Sequence, residues 1–172
     1  MNNLSFHITD ITANSIRANA SEIGLSVEEQ DTRIVIRITD NGLGMDAETA
    51  RRVTNPFYTT RTTRKVGLGL PFLIQNAEQT GGSVTLTSEP GKGTEVRAVF
   101  HSDHIDCPPW VDLPGTVALL ITGNPEINVC FEYRLGETGY SISTNEIKEI
   151  LDGVPLSHPK VTLLIKEMIK EN

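Results

Sequence analysis

A β-branched segment that runs directly into a glycine turn is the feature that constrains this chain most. Residues 33–39 (RIVIRIT) place isoleucine at every second position, which is the pattern of a strand with one buried face. Residues 40–44 (DNGLG) follow at once, and glycine allows the positive φ angles and close backbone contacts that a tight turn needs. The sequence therefore predicts a strand whose carboxyl end carries Asp40 into a glycine turn.

Helical and extended segments are intermixed along the first hundred residues. Helices are predicted over residues 4–20, 47–53 and 68–79, and strands over residues 23–28, 33–39, 83–88 and 94–101. Residues 55–65 are polar and rich in Thr and Arg, which predicts a loop. We therefore expect an α+β fold with helices on one face of a mixed, mainly antiparallel sheet.

The charge of the chain changes near residue 102. Residues 1–101 carry 10 Lys or Arg and 11 Asp or Glu, whereas residues 102–172 carry 5 and 11. A proline-containing stretch lies at the change, at residues 102–115. We predict a first domain at 1–101, a linker at 102–115 and a small acidic α+β accessory domain at 116–172. An ordered loop, with Trp110 packed on the first domain, is the alternative for the linker.

The acidic part has its own predicted elements. These are a strand over residues 116–122, a hairpin of residues 127–134 and 140–143, a helix that begins with a capping box at Ser143 and Glu146, and a last helix capped by Ser157. The last helix carries an apolar stripe of Val161, Leu164, Ile165 and Met168. No catalytic constellation is visible here, so we expect this part to bind a protein partner.

Overall composition excludes several classes of protein. The net charge of −7 argues against a nucleic-acid or membrane-surface binder. Two cysteines cannot form a disulfide framework. The sequence has no apolar run of about 18 residues and no secretory pattern at its start, so we expect a cytoplasmic protein.

Two features have the chemistry of a phosphate and metal site. Asp10 and Asn14 stand one turn apart on the first predicted helix, and a carboxylate with an amide oxygen suits Mg²⁺ and a nearby water. A solvated helix face is the alternative for both. Residues 67–70 (GLGL) open a helix, where free backbone N–H groups can hold an anion. The spacing does not match a Walker A loop.

Five segments, in this order, resemble the boxes of the GHKL superfamily, which includes gyrase, a heat-shock chaperone, sensor histidine kinases and mismatch-repair ATPases. They are DITANSIRANA (10–20), DNGLGM (40–45), NPFYTTR (55–61), VGLGLP (66–71) and GKGTE (91–95). The resemblance covers residues 4–101. The last three boxes are most similar to the catalytic domain of sensor histidine kinases, and NSIRANA is more similar to the mismatch-repair type. The resemblance implies a Bergerat-type α/β sandwich that binds ATP and Mg²⁺.

The resemblance also implies roles for residues around the adenine. Asp40 would accept a hydrogen bond from the adenine amino group, and such a buried acceptor would reject guanine. Gly42 and Gly44 would let the backbone pass beside the base, and Met45 belongs to the same box. Thr94 would help to hold Asp40 and a water on the adenine edge.

Further roles follow for residues around the phosphates. Asn14 would bind Mg²⁺, and Arg17 would lie toward the phosphates. The residues of the second glycine-containing segment (66–71) would cradle the phosphates; they are Gly67, Leu68, Gly69 and Leu70. The resemblance makes residues 54–66 a lid, in which Arg61, Arg64 and Lys65 would pair with the γ-phosphate and Phe57 would be an apolar plug. A solvated basic loop is the alternative for these cations.

The sequence also departs from the pattern. Asp10 stands where hydrolysing relatives usually carry Glu, and it can still orient or deprotonate a water or hydroxyl. The histidine-kinase acceptor box is missing, and no dimerisation hairpin precedes the first helix, so we expect a stand-alone module.

We predict a Mg-ATP-binding, kinase-like phosphotransferase or regulator in signal transduction. It would act on a protein partner through its lid and accessory domain, and weak ATP hydrolysis is left open. A non-catalytic ATP-dependent switch and an anti-sigma-like serine kinase are the alternatives.

Overall fold

One mixed sheet connects the first strand of the chain to the last. The computed structural model describes residues 3–55 and 69–170. The helices are α1 (Leu4–Arg17), α2 (Ala47–Thr54), α3 (Gly69–Gln79), α4 (Leu113–Thr122), α5 (Thr144–Leu151) and α6 (Pro159–Lys170). The strands are β1 (Glu22–Gln30), β2 (Arg33–Asp40), β3 (Ser83–Glu89), β4 (Gly93–His101), β5 (Asn128–Leu135) and β6 (Thr138–Ser143).

The strands lie in the order β3-β4-β2-β1-β5-β6. All neighbouring pairs are antiparallel except β1 and β5, which are parallel. Alternate residues of β2 face the helices, and the isoleucines at 34, 36 and 38 are all at most 4% exposed. The prediction of an α+β fold with a mixed, mainly antiparallel sheet is confirmed.

Local signals fix both ends of α1. The side chain of Asn3 accepts a hydrogen bond from Phe6 N at 2.7 Å and caps the helix. Leu4, Ile8 and Ile11 recur on one face and are buried in the core. The helix ends at Arg17, three residues before the predicted end, and Asn19 then adopts a left-handed φ of 61°.

The prediction of a strand at residues 116–122 is wrong, because these residues belong to α4. The side chain of Asp112 accepts a hydrogen bond from Gly115 N at 3.0 Å, and Pro114 lies in the first turn, where its missing N–H costs nothing. The segment is apolar on most sides because it packs between α1 and α6. A short apolar run has no periodicity that separates a buried helix from a buried strand.

Residues 102–112 connect β4 to α4 and contact the first part of the chain. The carbonyl oxygen of Pro109 accepts a hydrogen bond from Leu4 N at 2.9 Å. Trp110 Nε1 donates a hydrogen bond to Glu29 Oε1 at 3.4 Å. Helix α4 begins at Leu113, inside the segment predicted as a linker, and β5 joins the same sheet as β1. The domain boundary near residue 102 stays a prediction.

The remaining elements of the acidic part lie close to their predicted places. Strands β5 and β6 form the predicted hairpin, and Ser143 caps α5 with a 3.2 Å hydrogen bond from Glu146 N to its Oγ. The predicted stripe of α6 is partly wrong, because Leu164 is 38% exposed and Ile169 is buried instead. Within residues 3–55 and 69–170 no helix is long and apolar enough to span a bilayer.

Candidate nucleotide-binding site

A cavity of about 270 Å³ opens between α1, the sheet and the glycine turn that follows β2. Seven residues predicted for the site line it: Asn14, Arg17, Asp40, Gly44, Met45, Leu70 and Thr94. They come from α1, β2, the turn after β2, α3 and β4. The fold therefore brings four separated sequence segments together around one cavity.

The carboxylate of Asp40 is fixed at one end of this cavity by two donors. Its Oδ1 accepts a hydrogen bond from Gly42 N at 2.9 Å, and its Oδ2 accepts one from Ser15 Oγ at 2.7 Å. Asp40 is the last residue of β2 and lies opposite Thr94 in the pairing of β2 with β4. The two side chains thus meet at the point where both strands border the cavity.

The glycine turn is pressed between α1 and the turn that follows β3. Gly44 has a φ of 71°, and a Cβ on it would stand 1.9 Å from the carbonyl oxygen of Glu89. Leu43 N donates to the carbonyl oxygen of Ala18 at 2.9 Å, and Gly91 N donates to that of Leu43 at 2.7 Å. A side chain at position 44 would therefore push the turn out of its place beside the cavity.

A second hydrogen-bonded group supports Thr94. Ser88 Oγ donates to the carbonyl oxygen of Gly93 at 3.0 Å and accepts from Met45 N at 2.8 Å. It also lies 2.8 Å from Thr94 Oγ1. These contacts tie the backbone at Met45 to the strand that carries Thr94.

Asn14 and Arg17 line the cavity from the last turns of α1. The guanidinium of Arg17 donates a 2.5 Å hydrogen bond to Asn14 Oδ1. The side chain of Asp10, one turn earlier, is outside the set of residues that line the cavity. It lies against Gly69, the first residue of α3. Burial raises the pKa of the Asp10 carboxyl above its usual value, and the nearby positive charge of Arg17 opposes this rise.

The oxygen of Asn14 has the donor chemistry that a magnesium nucleotide needs. Among the residues that the structure describes, no group of three His, Cys, Asp or Glu side chains is placed to hold a metal ion. Mg²⁺ bound to phosphates usually keeps several waters and takes only one or two protein oxygens. One amide oxygen at the cavity edge fits that mode of binding.

Gly42 and Gly69 lie beside the cavity rather than in its lining. Five other predicted residues lie outside the described residues: Phe57, Arg61, Lys65, Gly67 and Leu68. Arg64 and residues 56–66 of the predicted lid also lie outside the described residues.

Seven residues that line the cavity were missed in the sequence analysis: Ile11, Ser15, Ala18, Ile38, Leu43, Val53 and Val96. Most are apolar, and the alternation of apolar and polar residues along β2 and β4 indicates only that the apolar ones are buried. Ser15 had a usable signal. It is a polar residue in the apolar stripe of α1, directly after Asn14, and such a residue needs a buried hydrogen-bond partner.

A glycine turn and a fixed carboxylate in the lining of a cavity beneath α1 are the features of an α+β domain with a candidate nucleotide site. The chain belongs to the family of histidine kinase-, DNA gyrase B- and HSP90-like ATPases, whose model matches residues 3–104. The resemblance to the GHKL superfamily is therefore confirmed.

Similar proteins include bacterial sensor kinases. The chain is 32% identical over 97 residues to a putative sensor protein of Shewanella frigidimarina, in an alignment that covers 54% of this chain and 15% of the relative. It is 29% identical over 104 residues to the sensor histidine kinase YxdK of Bacillus subtilis, and that alignment covers 56% of this chain and 32% of the relative. It is 40% identical over 73 residues to sporulation kinase E of Bacillus subtilis, and that alignment covers 42% of this chain and 9% of the relative. The chain therefore matches less than a third of the length of each relative.

A solved structure shares the fold. The crystal structure of the N-terminal domain of a DNA repair protein matches with a TM-score of 0.54 and 17% identity, covering 82% of this chain and 51% of that chain. The match extends beyond the residues of the family model, so the shared fold includes part of the acidic segment.

Proposed function

We propose that this domain binds Mg-ATP and acts as a kinase-like phosphotransferase or regulator of a partner protein. The observation that carries the proposal is the Asp40 carboxylate, which two donors hold at the end of a largely apolar cavity. A cavity of this kind takes a flat base, and a few fixed polar groups give it orientation and selectivity.

The base would be read by Asp40. A carboxylate only accepts hydrogen bonds, so it pairs with the exocyclic amino group of adenine. The 6-oxo group of guanine is also an acceptor and would leave both groups unpaired at the half-buried Asp40. Ile38 and Val96 supply apolar contacts for the faces of the ring.

The phosphates would lie toward Arg17 and the start of α3. Arg17 supplies a permanent positive charge at the cavity, and the first residues of a helix present free N–H groups to anions. Asn14 would hold Mg²⁺, which neutralises charge on the β- and γ-phosphates when it is bound. Asn14 Oδ1 accepts a hydrogen bond from Arg17, and its second lone pair is available to a metal ion.

Asp10 is the candidate proton acceptor. In the proposed reaction an acceptor group attacks the γ-phosphorus, the bond to the β–γ bridging oxygen breaks, and ADP leaves. The proton of the attacking group passes to the Asp10 carboxylate. Its position against Gly69 puts this carboxylate at the start of the helix that would hold the phosphates.

One observation favours a second candidate function. Asp10 is absent from the residues that line the cavity, and its side chain is one methylene shorter than the Glu of hydrolysing relatives. A carboxylate that does not reach the γ-phosphate would make the domain an ATP-dependent interaction switch without chemistry. Residues 116–172 would then carry the response to a protein partner.

The test is calorimetric titration of the protein with Mg-ATP and with Mg-GTP. The chain offers a matched control, because Asp31→Asn makes the same change in an exposed turn whose φ of 55° suits Asn. We expect Asp40→Asn to lose roughly 1–3 kcal/mol of ATP binding. Asp31→Asn should bind as the unaltered protein does. Equal affinity of Asp40→Asn and the unaltered protein would contradict the proposed site.

A further inference from the structure

Ser15 is a buried hydroxyl that touches the carboxylate at the end of the cavity. Its side chain is on α1, and the residue is only 2% exposed. Its Oγ lies 2.7 Å from Asp40 Oδ2. The sequence analysis assigned no role to it, although Asn14, which precedes it, and Asp40, which it contacts, were predicted for the site.

The direction of this hydrogen bond follows from chemistry. A carboxylate has no proton to give, so the hydroxyl of Ser15 donates and Asp40 accepts. Gly42 N donates to the other carboxylate oxygen at 2.9 Å. One donor on each oxygen fixes the plane of the carboxylate, and each oxygen keeps a lone pair for a ligand. With the Ser15 hydroxyl removed, only Oδ1 is held and the group is free to turn.

Thr94 lies opposite Asp40 in the strand pairing and is held by Ser88. Ser88 Oγ lies 3.0 Å from the carbonyl oxygen of Gly93 and 2.8 Å from Thr94 Oγ1, and its one proton can go to only one of these two oxygens. The acceptor whose direction is fixed at this place is therefore the Asp40 carboxylate, which matches an amino group on a ligand.

We propose that Ser15 is the positioning residue that orients Asp40 and so sets the preference of the site for a 6-amino purine over a purine without that group. The proposal rests on the proposed function, since it requires an adenine nucleotide in the cavity. It adds the residue that makes Asp40 selective, and that residue acts through its hydrogen bond to Asp40.

The experiment compares two ligands that differ in one group. ATP carries the 6-amino group, and purine riboside triphosphate carries hydrogen in its place. Both are titrated with Mg²⁺ against the full chain and against Ser15→Ala. We expect Ser15→Ala to weaken ATP binding by about 5- to 10-fold, the worth of one ordinary hydrogen bond, and to leave the binding of purine riboside triphosphate unchanged.

Ser5→Ala is the matched control. Ser5 is also a buried serine of α1, at 4% exposure, and its Oγ has no hydrogen-bond partner among the described residues. The control should bind both ligands as the unaltered protein does. Thermal unfolding of all three proteins reports any loss of fold.

Each other outcome overturns the proposal in a distinguishable way. If Ser15→Ala weakened the binding of both ligands by the same factor, Ser15 would support the fold and not the orientation of Asp40. Unchanged ATP binding in Ser15→Ala would mean that Gly42 alone orients the carboxylate, and the proposed function would stand. Absence of ATP binding by the unaltered protein would overturn the proposed function together with this inference.

Discussion

Asp10 and Gly69 are in direct contact, so the candidate proton acceptor lies against the helix start that would hold the phosphates. A Cβ built on Gly69 would stand 2.9 Å from Asp10 Oδ2 and 3.3 Å from its Cγ. Gly69 is the first residue of α3 and is buried. The carboxylate reaches the backbone here only because position 69 has no side chain.

Gly69→Ala is expected to displace Asp10 without removing its charge. The added methyl group would stand 2.9 Å from Oδ2, closer than carbon and oxygen normally approach, so the carboxylate must shift away from the start of α3. Misplacement by about 1 Å can cost 100-fold in rate, and we expect at least a 10-fold loss of phosphoryl transfer from γ-labelled ATP. The control is the double variant with Asp10→Asn. If Gly69 acts through Asp10, Gly69→Ala adds no further loss to the loss that Asp10→Asn causes by itself.

Asp10→Asn separates a kinase-like reaction from a switch. The amide cannot take a proton, whereas it keeps the size and polarity of the side chain. We expect release or transfer of the γ-phosphate to fall by about 100-fold, the usual contribution of a proton acceptor, while ATP affinity stays within about 2-fold. The measurement is a phosphate balance that counts label released, label on protein and label left in ATP. A protein that binds ATP but leaves it intact with and without Asp10 would support the switch.

The rate of phosphoryl transfer should rise with pH. Burial raises the pKa of Asp10, and only its ionised form accepts a proton. The rate is therefore expected to rise with pH up to and through the raised pKa of Asp10 and to level off above it. Asp10→Asn should remove this dependence from whatever slow reaction remains.

The fold of the first part and much of its site are readable from the sequence because their signals are local. Alternating isoleucines mark β2, Asn3 caps α1, and glycines mark the turn at Asp40. These signals place Asp40 and Asn14 at the ends of their own elements. The place of Ser15 in the apolar stripe of α1 indicates a buried hydrogen bond, but its partner was not readable because Asp40 lies 25 residues away in the sequence.

The second part was harder to predict for two physical reasons. The run at 116–122 is apolar on several sides because α4 is covered by both α1 and α6, and such a run fits a strand as well. The parallel pairing of β5 with β1 joins segments about a hundred residues apart. Its register depends on packing between distant parts of the chain, for which the sequence of β5 alone has no signal.

His7 is expected to make the protein sensitive to acid. The ring is 1% exposed, and burial lowers the pKa of His7 from 6.5 to about 4. Its Nε2 lies 2.7 Å from Asn76 Nδ2, which can donate only to an unprotonated nitrogen. Between pH 6.5 and about 4 the unfolded chain binds the proton and the folded protein does not, so the free energy of unfolding falls as pH falls through this window.

The contribution of His7 is at most about 3 kcal/mol across that window. It is measured by urea unfolding at several pH values, followed by the fluorescence of Trp110, the one tryptophan of the chain. His7→Gln keeps an acceptor for Asn76 but does not titrate. We expect a flatter pH dependence for this variant, and an unchanged slope would show that other groups cause the acid sensitivity.

Removal of the acidic part tests the predicted boundary near residue 102. A chain that ends at residue 104 keeps every residue matched by the family model but loses β5, so β1 becomes an uncovered edge strand with unpaired N–H and C=O groups. It also loses α4, which packs on α1 beside Ala13 and Ile16. We expect the shortened chain to unfold at least about 5 °C lower than the full chain, the shift that about 1 kcal/mol produces in a domain of this size. Thermal unfolding with light scattering measures both the loss of stability and any edge-to-edge association.

An unchanged midpoint, with unchanged ATP affinity, would mean that residues 1–101 fold as a domain of their own and that the sheet contact with β5 contributes little to their stability.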